Sequence, residues 1–394
     1  MRSARIRLLL ILEIVFWLCV GLLAWAQLGY ALALAVIASV LPRRASPSAG
    51  PRATLPSLSL IVAAHDEQAV IEQKVHNALA LDYPRELLQL IVACDGCTDA
   101  TADRARAAGA DLVLELPRGG KIRAQDAAVE RASGELVAFS DANALWQRDA
   151  ARVLAGAFED ARVGYACGQV RFVQGAAGPH GRAGENQEGV YWRYELAVRA
   201  LESRLSSITA GNGAIYATRR ESYIVVDPIM GHDLSLPFNI VKRGRRAVYV
   251  PQARATEKMV PTISGEFARK RRMMSHTWPI LLRGGMLSPR GYPPGYALMI
   301  LSHRLLRYAS PALHVLAFAA NVALLAAGAS WVYVVTLAVQ VALLLAAALA
   351  GAVRLRPLLL ARYYVLTTAS PAAGLWDWLR HGTDAAWEAA EGTR

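Results

Sequence analysis

The chain has 394 residues, 54% hydrophobic and only 19% charged, with a net charge of +12. That balance points to a chain partly in lipid, and its basic residues flank apolar stretches, where they favour the cytoplasmic side of a membrane. No nucleic-acid motif accompanies the charge, which sets nucleic acid aside as a partner. Four cysteines, one of them inside an apolar stretch, make no secreted disulfide framework.

Arg2, Arg5 and Arg7 precede 35 residues whose only charge is Glu13. As one helix this stretch would be ~52 Å long, against a hydrocarbon core of ~30 Å. The expectation for residues 1–42 is one span near 8–30, with the rest at the interface and Glu13 near the membrane surface. The stretch is too long for a signal peptide and lacks a clear cleavage site. Residues 43–56 begin RRASPSAG and read as a linker.

From residue 57 apolar runs alternate with helical patterns. Strands are expected at 58–64, 88–94, 111–116 and 135–140, and helices at 67–80, 99–108 and 120–132. Such alternation predicts an α/β fold with a mostly parallel sheet and helices on both faces, over 57–262. Ligands in such sheets bind beyond the carboxyl ends of the strands. At those ends stand His65-Asp66-Glu67, Asp95-Gly96 and Asp141-Ala142-Asn143, and Gly119-Gly120-Lys121 opens a helix. A single acid at a strand end is ordinary turn chemistry. Three in one sheet suit Mg²⁺ or Mn²⁺ beside a diphosphate, since these hard cations share phosphate oxygens. Lys121 supplies a point charge for phosphate, and the glycines let backbone come close.

Farther on, Tyr191, Tyr194, Val198, Leu201 and Leu205 form one stripe of a helix over 186–207. Trp192 lies on another face, either stacked on a sugar ring or packed on a neighbouring element. Residues 263–300 are expected to be amphipathic and interfacial, with Arg269-Lys270-Arg271-Arg272 opposite Phe267, Met274 and Trp278. Between Arg307 and Arg354 lie 46 residues without Asp, Glu, Lys or Arg. Within the C-terminal region 301–394 they predict spans at 308–327 and 331–353, and 357–376 is a further span or a surface helix.

The ordered set VAAHDE, ACDGCTDAT, RGGKIRAQDAA, FSDAN, YWRYE, GNGAIYATRR, GHD and RKRRM resembles a membrane-anchored family 2 glycosyltransferase of GT-A fold, of the type that builds polysaccharide or cell envelope. The resemblance implies an inverting transfer from a nucleotide-diphosphate sugar, UDP-linked, to a saccharide or lipid-linked acceptor. The catalytic domain would be cytoplasmic, at the inner membrane, with membrane lipid and a polysaccharide export complex as partners. It also implies roles for residues. Ala63, Ala64, Glu67, Asp95, Lys121 and Asp141 would contact the donor. Asp141 and Asn143 would hold Mg²⁺ or Mn²⁺. Gly211, Asn212, Gly213, Tyr216, Arg269, Arg272 and Trp192 would border acceptor and diphosphate. Asp233 would be the general base; spacing alone reads it as a plain acid at a helix N-terminus.

The chain departs from the family pattern in three places. Asn143 replaces the second acid of the metal motif, His232 replaces the acid before the base, and Arg269 and Met273 replace the Gln and Trp of the closing motif found in processive synthases. These departures support one alternative, a catalytically degenerate partner of a synthase complex. A nucleotidyltransferase would need a glycine-rich loop after the first strand, and a transporter more polar residues within its spans. Cys94 and Cys97 form a CxxC, but Cys94 ends an apolar strand beside Asp95 and no second such pair follows. The acid between them is therefore the expected functional residue.

Overall fold

The computed structural model describes residues 2–41, 55–173, 182–258, 263–353 and 355–385. Most of the expected linker, Arg354 and the side chain of Tyr191 lie outside that description.

The core is an eight-stranded sheet. Its first half comprises β1 (Leu58–Ala64), β2 (Leu88–Asp95), β3 (Leu112–Leu116) and β4 (Leu136–Asp141). β1 lies between β2 and β4, β2 pairs with β3, and all three pairings are parallel. Every residue of β1 is buried, as expected where helices cover both faces. Leu60 and Val62 enter one core, and Ile61 enters the other. The helices Ile71–Leu79, Thr101–Ala107 and Lys121–Glu130 connect these strands.

The second half differs from the expected pattern. It contains β5 (Leu145–Trp146), β6 (Val163–Val173), β7 (Tyr216–Arg219) and β8 (Arg246–Lys258), and the full order is β3-β2-β1-β4-β7-β6-β8-β5. β7 runs antiparallel to both β4 and β6, β5 runs antiparallel to β8, and β6 and β8 are parallel. The sheet is thus mixed, with its parallel pairings in the majority and its antiparallel ones all made by strands of this second half. β7 fits between β4 and β6 by stacking Tyr216 on Phe139, with ring centroids 4.7 Å apart.

Among the described residues, three helices are long and apolar enough to cross a membrane: Arg5–Val40, Pro294–Ala326 and Trp331–Leu349. Phe16 and Cys19 of the first pack with Ala317, Ala320 and Leu324 of the second and Tyr333 of the third. The first is too long for one upright span, and its C-terminal third accounts for the excess. After a π-helical turn at Trp25–Gly29, Tyr30 and Leu34 join the core on one face of the sheet. Tyr30 Oη donates to Glu202 at 2.7 Å, and Arg204 donates to the Ala38 carbonyl.

The helix Arg356–His381 is not among the three apolar spans. It packs along Ile263–Leu282 through Trp278, whose indole donates to the Pro371 carbonyl at 2.8 Å. Lys270 donates to Tyr363 Oη at 2.7 Å, and Arg271 pairs with Asp377 at 2.6 Å. Trp278 of the expected apolar face and two members of the basic run therefore meet this helix.

Candidate active site

Strand register brings the first residues together. Ala63 pairs with Asp141, and Ala64 with Cys94, so β1, β2 and β4 end at one rim. Glu67 is buried just beyond, and its amide donates to Thr101 Oγ1 at 2.8 Å. Asp95 is also buried; its carboxylate accepts the Gly119 amide at 2.6 Å and the Gly120 amide at 3.0 Å. Arg118 lies 3.5 Å from it. The acid therefore shapes the glycine turn that opens the Lys121–Glu130 helix. Gly120 has φ +97°, and the Ala385 carbonyl lies where its Cβ would stand, so no other residue fits there without rearrangement.

Lys121 leads into the centre, where its ammonium forms an ion pair with Asp141. Burial opposes the charge on Lys121, but Asp141, with Asp233 and Glu257 behind it, holds the lysine above its usual pKa. Gly213 closes this pair from the other side: a Cβ there would sit 3.3 Å from Lys121 Nζ and 3.5 Å from Asp141 Oδ2.

Asp233 approaches from the start of the His232–Lys242 helix. Burial raises its pKa, Lys121 draws it back, and the net shift is upward. A raised carboxylate is a stronger proton acceptor, which general-base work requires. A Cβ at Gly231 would come 2.6 Å from Asp233 Oδ1. The Gly211 amide donates to the Asp233 carbonyl at 2.7 Å, tying the 211–213 loop to the same helix.

Glu257, near the end of β8, has no counterpart in the sequence reading. Burial and the charge of Asp141 raise its carboxyl to about 7, while Lys121 and Arg269 oppose the rise. A lone Glu in TEK carries no sequence signal. Only the pairing of β8 beside β6 brings it within the field of Asp141.

Other expected site residues take structural positions. Tyr216 is fully buried, and its hydroxyl meets His232 Nδ1 at 3.0 Å instead of facing a cavity. Asn212 ties its own loop, donating to the Gly168 carbonyl at 2.8 Å and accepting from the Ile215 amide at 2.9 Å. Trp192 donates to the Val170 carbonyl at 3.2 Å and meets Phe172 edge-on at 5.4 Å, the packing alternative. Asn143 is half-buried after β4, Arg269 is half-buried, and Arg272 is exposed.

His232 has a defined polarity. Tyr223 donates to the Asp126 carboxylate at 2.6 Å, so it accepts from His232 Nε2 at 3.2 Å. His232 Nδ1 then accepts from Tyr216, and the ring is neutral. Burial and Lys121 push its pKa down to about 3. The residue that departs from the family pattern thus serves as an uncharged bridge beneath Asp233.

The structure resembles a mannosyltransferase from Pyrobaculum calidifontis solved with GDP-mannose and Mn²⁺: 24% identity, 93% of this chain and 99% of that one covered, TM-score 0.71. A remoter likeness, with TM-score 0.39 and 22% identity, covers 60% of this chain and 82% of glucosyl-3-phosphoglycerate synthase from M. tuberculosis. Among curated proteins, a probable glycosyltransferase of Bacillus subtilis (strain 168), YdaM, is 27% identical over 131 residues. That match spans 31% of each chain. Residues 56–275, from just before β1 through the basic run, match the family described as glycosyltransferase-like family 2, and the chain belongs to it.

Proposed function

We propose that this glycosyltransferase moves a sugar from a nucleoside diphosphate to a saccharide or lipid-linked acceptor at the cytoplasmic face of a membrane, with inversion. The observation that carries the reading is the convergence of Lys121, Asp141, Gly213 and Asp233 on one rim.

Inversion needs a base on one side of the anomeric carbon and a stabilised leaving group on the other. Asp233 takes the proton from the acceptor hydroxyl, and its raised pKa suits that task. Lys121, held charged by Asp141, faces the diphosphate as negative charge grows on it. The Gly119–Gly120 turn, braced by Asp95, lets donor phosphates approach the backbone.

The donor set fits a hard divalent cation. Asp141 and Glu257 are two carboxylates in one partly buried place, and Glu257 is raised first by burial and then by the charge of Asp141. Asp141, Asn143 and Glu257 would hold Mg²⁺ or Mn²⁺ through oxygen. When bound, the ion neutralises charge developing on the leaving diphosphate. The mannosyltransferase of similar fold was solved with Mn²⁺.

The three apolar helices and the exposed or half-buried Arg269, Arg271 and Arg272 support a membrane-facing acceptor. The test is a screen of UDP- and GDP-linked sugars with membranes carrying the protein. Nucleoside diphosphate release that depends on acceptor, with an inverted product anomer by NMR, is expected. Retention of configuration, or pyrophosphate as the released product, contradicts the reading.

A further inference from the structure

We propose that His65, Asp66 and Cys97 form a separate three-ligand site for a borderline-soft divalent cation, zinc above all. The three occupy the loops after β1 and β2, and their ligand atoms lie within 4.8 Å of one another. Imidazole nitrogen, carboxylate oxygen and thiolate sulfur together match zinc rather than Mg²⁺ or Mn²⁺.

The site has outer support. His65 Nδ1 lies 2.8 Å from the Asp95 carbonyl, which can only accept, so the proton is on Nδ1. Nε2 is thereby directed at Asp66 Oδ2, 3.6 Å away. A tetrahedral zinc with bonds of ~2.1 Å has ligand edges of ~3.4 Å, so this gap already approximates one edge. Histidines that ligate metals commonly donate their other ring nitrogen to such a carbonyl. Asp66 has φ +49°, unusual for a residue with a side chain, and its Oδ1 is fixed by the Thr98 amide at 2.8 Å. Oδ2 is the oxygen turned toward His65. Cys97 Sγ lies 3.5 Å from the Ala64 carbonyl, on the same loop pair, half-buried and within reach of solvent. Binding transfers the Cys97 thiol proton to water as sulfur bonds the metal.

Three protein ligands leave a fourth position for water or an incoming group. The site clamps β1 to β2 across the carbonyl of Asp95. Asp141 lies at the end of β4, on the opposite side of β1, so the two metals do not share a ligand.

The test uses full-length protein in detergent, with thiols reduced, metal removed by a chelator, and excess Mg²⁺ present to occupy the oxygen site. Titration with Co²⁺ is expected to give a thiolate-to-cobalt charge-transfer band and tetrahedral d–d bands, both displaced by Zn²⁺. C97S is expected to lose the charge-transfer band, and H65Q to weaken cobalt affinity by at least about tenfold. C94S and D141N are expected to keep the band. Absence of a thiolate band in the unmutated protein overturns the proposal without depending on how any variant folds. So does a band that survives C97S, disappears in C94S or D141N, or an affinity unchanged in H65Q.

Discussion

The Gly211 amide donates to the Asp233 carbonyl at 2.7 Å, so the 211–213 loop and the helix bearing the proposed base are fixed to each other. Gly211 can occupy this place only because it lacks a Cβ, which would fall on the Tyr165 hydroxyl. That hydroxyl is buried and has no hydrogen-bond partner among the described residues. G211A is therefore expected to cost about 1–3 kcal/mol of stability, the usual range for overpacking, and to reduce transfer. Y165F alone should be nearly neutral, and G211A/Y165F should recover part of the loss. Thermal unfolding and initial rates of the three variants check this; equal losses in the single and double glycine variants would count against the contact.

Stability should fall in acid because of His232. Its folded pKa of about 3 lies below the usual value of 6.5, so the ring is neutral in the folded protein. The contribution is complete above pH ~6.5 and is lost as pH falls toward ~3, at up to ~1.4 kcal/mol per pH unit. H232Q should flatten the melting temperature over that window relative to the unmutated protein, once other acid-titrating groups are subtracted.

Glu202 connects the first apolar helix to the sheet domain. It is fully buried, accepts Tyr30 Oη at 2.7 Å and the Thr209 amide at 3.1 Å, and lies 2.7 Å from His303 Nδ1. Removing one member of a buried charged set leaves the others uncompensated, at a cost of about 3–5 kcal/mol. E202A should lower the melting temperature sharply, and limited proteolysis should cut near residue 41 sooner. The pair of exposed Arg271 with half-buried Asp377 is a contrast: R271A should change stability by only about 0–1 kcal/mol.

Glu257 gives a prediction about metal. E257Q removes one oxygen anion from the set around Asp141 while keeping the shape. Mn²⁺ affinity should fall about tenfold or more, measured by calorimetry with nucleoside diphosphate present. Unchanged affinity would remove Glu257 from the ligand set.

The legible parts of the molecule were those set by local pattern. The strands β1 to β4 are short apolar runs, and His65, Asp95 and Asp141 stand at the ends of three of them, so the period and turn residues suffice to place them. The rim formed by Asp95, Lys121 and Asp141 follows from parallel strands that end at one edge of the sheet. The remaining features depend on long-range pairing. β6 and β8 lie side by side although more than 70 residues separate their first members, Val163 and Arg246. No spacing reveals that Tyr216 turns its hydroxyl to His232, or that the Trp192 indole goes to Val170. The first apolar stretch was too long for one span because its last turns serve the catalytic domain, and only Tyr30 and Leu34 in the core show that.

The central claim is that Asp233 accepts the acceptor proton while donor binding rests on the rim of Lys121 and Asp141. It is tested most directly by measuring donor binding and sugar transfer side by side in the unmutated protein and in D233N. The expected result is transfer reduced at least about a thousandfold, a few kcal/mol on the barrier, with donor affinity within about threefold of the original. Transfer at the original rate in D233N would contradict the account.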